Sequence, residues 1–533
     1  MQDLLMGLPL GYMRGNTLIE PGYRIPEFGT YVQDDWRATR TLTLNIGLRY
    51  DVYGAITEAH NRYSNFDYPT LTLISGTQSP HVGIDTNFKN FQPRIGFSQS
   101  LGKSTVVRGG FGISSYPIAI QSEIQIPNPP YDYSVSCIPC FGGGFVWPTI
   151  PNPTPASTTN LSGSLTYNPH NFNTLYIEQF NLMVQREIGG NVLTIGGLGE
   201  LGRHLLTQPS INEPLPAGPY VNDATQGPSP APGWLTASQL PNVGPIEVDG
   251  NWATNNYYAL QAVYARRFTK GLAFNANYTW GRGLGDAVAG SGGGTALGMI
   301  PTNVRADYGN SGVDIRHRFA GNWSYVLPFG QNASGARGLL TKGWQTNFIM
   351  FWQTGQPFGI TDSYTNSNGL AQINIPNITS DRPNLVPHKS YTTPGKGLQN
   401  WLDPTAFTPQ PAGTLGNEGN NPFHGPHTRR ADMSVFKDFN VTEKLQAQFR
   451  AECFNISNTP NFLNPGAGIS QWNPGPEHDA SHPIKCASGA SGCTSVGLLP
   501  GDIGTNAAGF GSVTSTVPNV NPRQFQFAMK LLF

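Results

Sequence analysis

The chain has 533 residues with 32 basic and 32 acidic side chains, and charged residues make up only 12% of it. The zero net charge excludes the basic surface that a nucleic-acid-binding protein needs, and an aromatic content of 11% is too high for a disordered chain. There is no apolar run of about 18 residues or more, so no transmembrane helix is predicted. The 64 glycines and 45 prolines favour an all-β chain with long loops.

Long segments in which apolar and polar residues alternate predict β-strands, because successive side chains of a strand point to opposite faces. In residues 41–53, for example, Leu44, Ile46 and Leu48 share one face, and Asn45 and Arg49 lie on the other. The predicted strands form six hairpins followed by a single strand, at residues 26–37/40–53, 92–101/104–117, 174–188/191–202, 254–268/271–283, 314–328/343–356, 429–440/443–456 and 522–533.

The connections between these strands alternate between short and very long. Five hairpins are predicted to have two-residue turns, such as Thr269-Lys270 and Val441-Thr442, and the sixth is connected by residues 329–342. The hairpins themselves are separated by long loops rich in Pro, Gly, Asn and Ser, which are uncommon in compact soluble domains. Outer-membrane barrels have this arrangement, with short periplasmic turns and long extracellular loops.

Other all-β architectures fit the pattern less well. The hairpins start at irregular intervals, whereas a propeller or solenoid needs a fixed repeat. The predicted strands are longer than the five or six residues usual in a sandwich, and they match the roughly 9–11 residues that cross a bilayer. The sequence therefore predicts an all-β fold, an antiparallel transmembrane β-barrel, with soluble all-β folds as the alternative.

Two motifs suggest chemistry but have simpler interpretations. Residues 197–202 match G-x-G-x-x-G, which in a dinucleotide-binding domain must be followed by a helix. Here Pro209 and Pro214 follow instead, so we interpret the motif as part of a barrel strand. His478 and His482, in H-x3-H spacing upstream of two cysteines, form a weak zinc candidate because no regular element would hold them.

The five cysteines permit two disulfides in loops. Cys137 and Cys140 form one possible pair, Cys486 and Cys493 form the other, and Cys453 is left over. A redox role for the first pair would need a βαβ pattern around it, which the sequence lacks. We find no catalytic arrangement and no convincing cofactor or metal site, so the sequence does not predict an enzyme.

Polar residues near 305–318 are the candidate contacts inside the barrel. They are Arg305, Asp307, Arg316 and Arg318. The simpler interpretation is a solvated inner wall, because the lumen of an outer-membrane barrel is polar. The alternative is contact with a plug or a ligand.

Segments along nearly the whole chain resemble the barrel of Oar-like TonB-dependent outer-membrane transporters. They include YVQDDWRATRTLTLNIGLRYD at 31–51, NLMVQREIGGNVLTIGGLGELGRHL at 181–205 and RADYGNSGVDIRHRFAGNWSYVLPFG at 305–330; the others lie at 90–113, 257–287, 343–358 and 510–533. The resemblance implies a barrel of about 22 strands with an internal plug, energised through TonB. It also implies that Phe525, Phe527, Met529, Leu531 and Phe533 form the C-terminal signal read by the barrel assembly machinery.

The sequence departs from this family pattern in its extent. It predicts 13 strands, and it contains no recognisable plug, TonB box, N-terminal carboxypeptidase-regulatory-like domain or signal peptide. We therefore expect residues 1–25 to be a loop or truncated strand region and residues 26–533 to be the C-terminal portion of the barrel, a fragment of a larger transporter.

The expected function is transport across the bacterial cell outer membrane. The ligand would be bulky, an oligosaccharide or a polypeptide, and would be taken up or exported without a cofactor. The expected partners are outer-membrane lipid, the assembly machinery, and TonB only through the missing N-terminal part, but no nucleic acid. A passive porin-like or adhesive barrel is the alternative, and a secreted carbohydrate-binding β-protein is a third possibility.

Overall fold

The structure is a computed structural model. It describes residues 12–17, 22–68, 70–78, 82–117, 128–137, 163–207, 243–286, 304–362, 382–392, 397–408, 416–440, 445–469, 510–518 and 520–532.

Thirteen long strands form one antiparallel sheet in which each strand pairs with its neighbours in the sequence. The strands are β1 (Glu27–Trp36), β2 (Leu42–Tyr53), β3 (Asn87–Leu101), β4 (Thr105–Tyr116), β5 (Leu175–Ile188), β6 (Asn191–Thr207), β7 (Gly250–Thr269), β8 (Leu272–Gly285), β9 (His317–Val326), β10 (Trp344–Gln353), β11 (Thr428–Asn440), β12 (Gln446–Phe454) and β13 (Gln524–Leu532). A two-residue strand, Gly309–Asn310, adds to β8. The prediction of an all-β antiparallel fold is confirmed, and the motif at 197–202 lies inside the continuous strand β6.

The turns are predicted less accurately than the strands. Gly189-Gly190 is a two-residue turn as expected, with positive φ at both residues. The next turn is Lys270-Gly271 rather than Thr269-Lys270, because it also needs positive φ at both positions (53° and 81°) and glycine adopts this most easily. The turn predicted at Val441-Thr442 lies outside the described residues; the strands on either side of it, β11 and β12, pair with Asn440 opposite Gln446.

The pairing register places the apolar sides of all thirteen strands on one face of the sheet. Residues directly opposite one another in an antiparallel pair share a face. One row across the apolar face consists of Ile46, Ile95, Phe111, Phe180, Gly199 and Tyr258. Large apolar side chains on this face are exposed, including Ile95 (56%) and Phe527 (68%). A continuous exposed apolar surface of this extent is typical of contact with lipid.

The buried hydrophobic core lies in the long loops. Phe358, Ile360, Phe407, Phe423 and Ile469 are buried together, and they come from the loop between β10 and β11 and the loop after β12. A second cluster, Phe66, Leu73, Leu165 and Ile246, joins the loops that follow β2, β4 and β6. The described parts of the long loops therefore pack together at one end of the sheet, and we call these parts the loop layer.

Short strand pairs connect the segments of the loop layer. They are Tyr12–Thr17 with Asp132–Cys137, Tyr23–Arg24 with Thr57–Glu58, Ser64–Asp67 with Thr72–Ser75, Gly163–Tyr167 with Val243–Val248, Pro357–Phe358 with Phe423–His424, Thr361–Asp362 with Gly468–Ile469, and Asn384–Leu385 with Phe407–Thr408. The region 1–25, expected to be a loop or truncated strand, thus contributes two of these short strands.

Helical structure is sparse in the described residues. The helix α1 (Gly335–Thr341) lies in the connection between β9 and β10, and 3-10 turns occupy Val304–Asp307 and Pro404–Ala406. None of these helices is long and apolar enough to cross a membrane.

The sheet has two edges, β1 and β13. Among the described residues, β1 pairs only with β2 and β13 pairs only with β12. Since the strand number is odd and every neighbour is antiparallel, the two edge strands run in the same direction.

Candidate functional site

The second face of the sheet carries paired charges. Arg49 binds Asp51 at 2.9 Å and Arg430 binds Asp432 at 3.0 Å, each pair two residues apart on one strand. Arg318, a candidate lumen residue, lies on this face, and its guanidinium sits 5.2 Å from the ring centre of Phe351. This is the face that lines the lumen of an outer-membrane barrel.

A polar cavity of about 490 Å³ opens on this face near the loop-layer ends of β1–β4. Asp51 is almost fully buried in its wall and accepts hydrogen bonds from Arg49, Tyr53 and Gln92. The hydroxyl groups of Tyr53 and Ser115 are 3.0 Å apart and link β2 to β4. The cavity therefore presents hydroxyl, amide and guanidinium groups, which suit a polar ligand with acceptor oxygens.

The second polar cluster is centred on Asp314, where the loop before β9 enters the sheet. Its carboxylate is fully buried and accepts hydrogen bonds from the Gly283 backbone N–H (2.8 Å), Arg316 Nε (2.8 Å) and His424 Nε2 (3.3 Å). Burial alone would raise the pKa of Asp314, but these donors outweigh it and hold the pKa below its ordinary value. Asp314 thereby joins β8, the entry to β9 and the loop before β11.

Two of the other predicted lumen residues also lie in the loop layer. Arg305 Nε is 3.6 Å from the buried carboxylate of Asp286, and its guanidinium lies 5.7 Å from the ring centre of Tyr308. Asp307 is buried and paired with Arg382, which belongs to the loop between β10 and β11. The first pair joins the end of β8 to the loop before β9, and the second joins that loop to the loop between β10 and β11.

Glu418 lies beside these pairs and is 2% exposed. Its Oε1 accepts a hydrogen bond from the Ile360 backbone N–H at 2.8 Å, and its backbone carbonyl lies 3.5 Å from Arg382 Nη1. Within the described residues, its Oε2 has no hydrogen-bond partner. Burial raises the pKa of Glu418 to about 8, against the lowering effects of the Ile360 N–H and Arg382.

The structure therefore separates the four predicted lumen residues. Arg305, Asp307 and Arg316 are in the loop layer, each with an acidic or basic partner, and only Arg318 lies on the polar face of a strand. Sequence analysis did not single out their partners, which are Asp286, Arg382, Asp314 and His424. These partners lie in separate loops, so no spacing rule connects them.

Most of the predicted disulfide and zinc residues lie outside the described residues. These are Cys140, Cys486, Cys493, His478 and His482. Cys137 is the last residue of a short strand, but its side chain is not described. Cys453 is a free thiol on β12, directly opposite Phe525 on β13. Of the predicted C-terminal signal, Phe525, Phe527, Met529 and Leu531 share the exposed apolar face of β13, while Phe533 is not described.

Comparison with known families identifies the class of protein. Residues 1–526 match the model of the outer membrane beta barrel domain family. Because the match covers nearly the whole chain, the chain belongs to this family, and the predicted location in the bacterial outer membrane is confirmed. No curated protein matches the sequence significantly.

Several solved structures are similar to this chain at low identity. The outer membrane transporter YddB from Escherichia coli has 10% identity and a TM-score of 0.42, over 84% of this chain and 43% of its own. The pyoverdine receptor FpvA from Pseudomonas aeruginosa PAO1 (10%, TM-score 0.41) and the Pseudomonas aeruginosa ferric enterobactin receptor PfeA (10%, TM-score 0.41) each match over 96% of this chain, and over 42% and 45% of their own. The chain thus spans less than half the length of these structures.

Proposed function

We propose that the chain is the C-terminal barrel portion of an Oar-like, TonB-dependent transporter that moves a bulky oligosaccharide or polypeptide across the outer membrane. The polar face of the sheet supports this proposal most directly. It carries paired charges, and the loop layer packs at one end of it. A ligand entering there would first contact the charged clusters around Asp51 and Asp314. These clusters offer hydrogen bonds and charge, which fits binding and passage of a polar ligand.

The number of long strands in the described residues supports a larger barrel. A closed barrel of uniformly antiparallel strands needs an even number, whereas β1 and β13 are parallel to each other. An odd number of further strands between them would satisfy both edges, whose backbone groups would otherwise lie unpaired in lipid at several kcal/mol each. The nine strands that separate 13 from about 22 meet this requirement.

The experiment uses the whole transporter that the proposal requires, with its N-terminal part, plug and TonB box, purified from the outer membrane of its own bacterium, and tests it in two assays. The first measures binding to the purified periplasmic domain of TonB, and the second measures steady conductance in planar bilayers with potassium chloride as the probe. We expect TonB binding and little steady conductance, because a transporter of this kind is plugged. High steady conductance without TonB binding would refute the proposal and favour the passive porin-like barrel.

A further inference from the structure

A groove lies on the apolar face of β8, β9 and β10. Bulky side chains line it, namely Phe274, Phe319, Trp323, Tyr325 and Phe348, together with the smaller or flexible residues Ala276, Gly321 and Met350. Leu272, which directly follows the turn Lys270-Gly271, lines its end nearest the short turns. The resulting cavity has a volume of about 380 Å³, and its lining is almost wholly apolar.

The groove has fixed walls and dimensions suited to a hydrocarbon chain. The rings of Trp323 and Phe348 stack at 4.1 Å, and the Tyr264 ring contacts Phe274 at 5.4 Å where the groove meets β7. Leu272 and Ala276 both line the groove and lie four residues apart on β8, so the groove extends about 13 Å along the strand. This length and the apolar lining suit part of an acyl chain.

Positive charge flanks the short-turn end of the groove. Hydrogen bonds from Val326 N–H to Gly271 O and from Leu327 N–H to Trp344 O, both 2.8 Å, hold the short-turn ends of β8, β9 and β10 side by side. Lys270 and Lys342 immediately precede two of these ends, and both are exposed. Asp438, whose backbone N–H donates to Gly343 O at 2.9 Å, belongs to the polar-face register of β11.

Helix α1 adds an apolar surface beside these lysines. Leu339 and Leu340 are 52% and 67% exposed, and Phe329, just before the helix, is 59% exposed. The Trp344 indole N–H donates to the Leu340 carbonyl at 2.8 Å, which ties the helix to the start of β10. Exposed leucines next to cationic side chains are characteristic of segments that lie in a membrane interface.

We propose that this groove binds an acyl chain of an anionic phospholipid in the periplasmic leaflet, with Lys270 and Lys342 holding the headgroup phosphate. The short turns of outer-membrane barrels are periplasmic, which places the two lysines at the level of those headgroups. The apolar groove supplies the site for the chain, and the paired positive charge selects an anionic over a zwitterionic lipid. The inference depends on membrane insertion and is independent of transport.

Trp323 lies in the groove wall and reports occupancy directly. The protein, purified from outer membranes, is reconstituted into vesicles that contain phospholipid with brominated acyl chains, which quench tryptophan fluorescence on contact. Because the chain has ten tryptophans, the signal of Trp323 is taken as the difference between the wild type and Trp323→Phe. We expect brominated phosphatidylglycerol to quench this signal at a lower mole fraction than brominated phosphatidylcholine.

Substitutions then separate the two parts of the site. Lys270→Gln and Lys342→Gln should each weaken the preference for phosphatidylglycerol about fivefold, whereas Lys103→Gln, in the turn between β3 and β4, should leave it unchanged. Gly321→Leu should fill the groove and reduce quenching by both lipids, because a Cβ there meets only ordinary contacts at 3.4 Å or more. Gly197→Leu, at an open position of the same face, is its control.

Equal quenching by the two lipids in the wild type would overturn the proposal, as would a preference that survives loss of both lysines. Retention of the heat-modifiable gel shift establishes that each variant is folded. If Gly321→Leu does not fold, the two lysine variants decide the outcome alone.

Discussion

Glu418 makes the stability of the loop layer depend on pH. Its carboxyl is buried beside Ile360, and burial raises its pKa to about 8, from 4.5 in the unfolded chain. Folded protein therefore holds a proton at Glu418 that the unfolded chain has released at neutral pH. The stability that this carboxyl contributes is fully present below about pH 4.5 and is lost as the pH rises towards about 8.

The size of the effect follows from the gap between the two pKa values. The two pKa values differ by about 3.5 units, and each unit corresponds to about 1.4 kcal/mol. About 5 kcal/mol of local stability is therefore lost as the pH rises from about 4.5 to about 8. The perturbation that removes it is Glu418→Gln. The amide keeps an acceptor oxygen for the Ile360 N–H but cannot ionise, so the loss should not occur in the variant.

The assay is native-state hydrogen exchange of the peptide that contains Ile360, measured by mass spectrometry from pH 5 to pH 9 and corrected for the intrinsic exchange rate. In the wild type, protection of the Ile360 amide should fall by about three orders of magnitude with rising pH. In Glu418→Gln it should remain nearly constant. Wild-type protection that does not fall with pH would refute the reasoning.

Glu58 is the matched control, because it is a buried loop glutamate with the opposite behaviour. Burial alone would raise its pKa, but the backbone N–H groups of Arg62, Gly22 and His60 donate to it and lower the pKa below the ordinary value. Its contribution is present above the ordinary pKa and is lost as the pH falls. Glu58→Gln should therefore reduce protection of these amides at neutral pH, with no gain at alkaline pH.

Three further predictions concern the sheet and the loop layer. Leu48→Arg should lower the free energy of unfolding in lipid by about 2–4 kcal/mol, whereas Asn275→Arg on the polar face should lower it only slightly. Equal losses would show that the two faces of the sheet are wrongly assigned. Asp314→Ala should destabilise the loop layer by about 3–5 kcal/mol, because it leaves buried donors unpaired, whereas Asp314→Asn should cost less in the same exchange assay. Protease added to whole cells should cut within 457–521 and spare Lys270; cleavage at Lys270 would reverse the topology.

The strands could be predicted from the sequence because a sheet with one lipid face imposes strict alternation. Leu44, Ile46 and Leu48 occupy the face that alternation assigns to them, and the register continues that face across all the strands. The turns follow weaker rules. Lys270-Gly271 could have been found from the preference of glycine for positive φ, which identifies the second turn position.

The loop layer could not be predicted in the same way. Phe358, Phe407 and Phe423 are buried together, yet they lie in segments without periodicity and far apart in the sequence. The same holds for Asp314 and His424, whose contact depends on how two loops fold over the strand ends. Arg316 and Asp307 were predicted as lumen contacts because they are polar residues in one short segment. Their partners could not be predicted, because these contacts depend on three-dimensional packing.

The continuous apolar row across the sheet restricts how this protein can change in length. A single residue inserted in the middle of β6 would turn every later side chain of that strand to the opposite face, so that Gly199 and Leu201 would exchange sides with Leu198 and Glu200. The charged Glu200 would then face lipid. Single-residue insertions and deletions should therefore be tolerated only in the loops, so such barrels can vary their long loops while the facing of the strands stays constant.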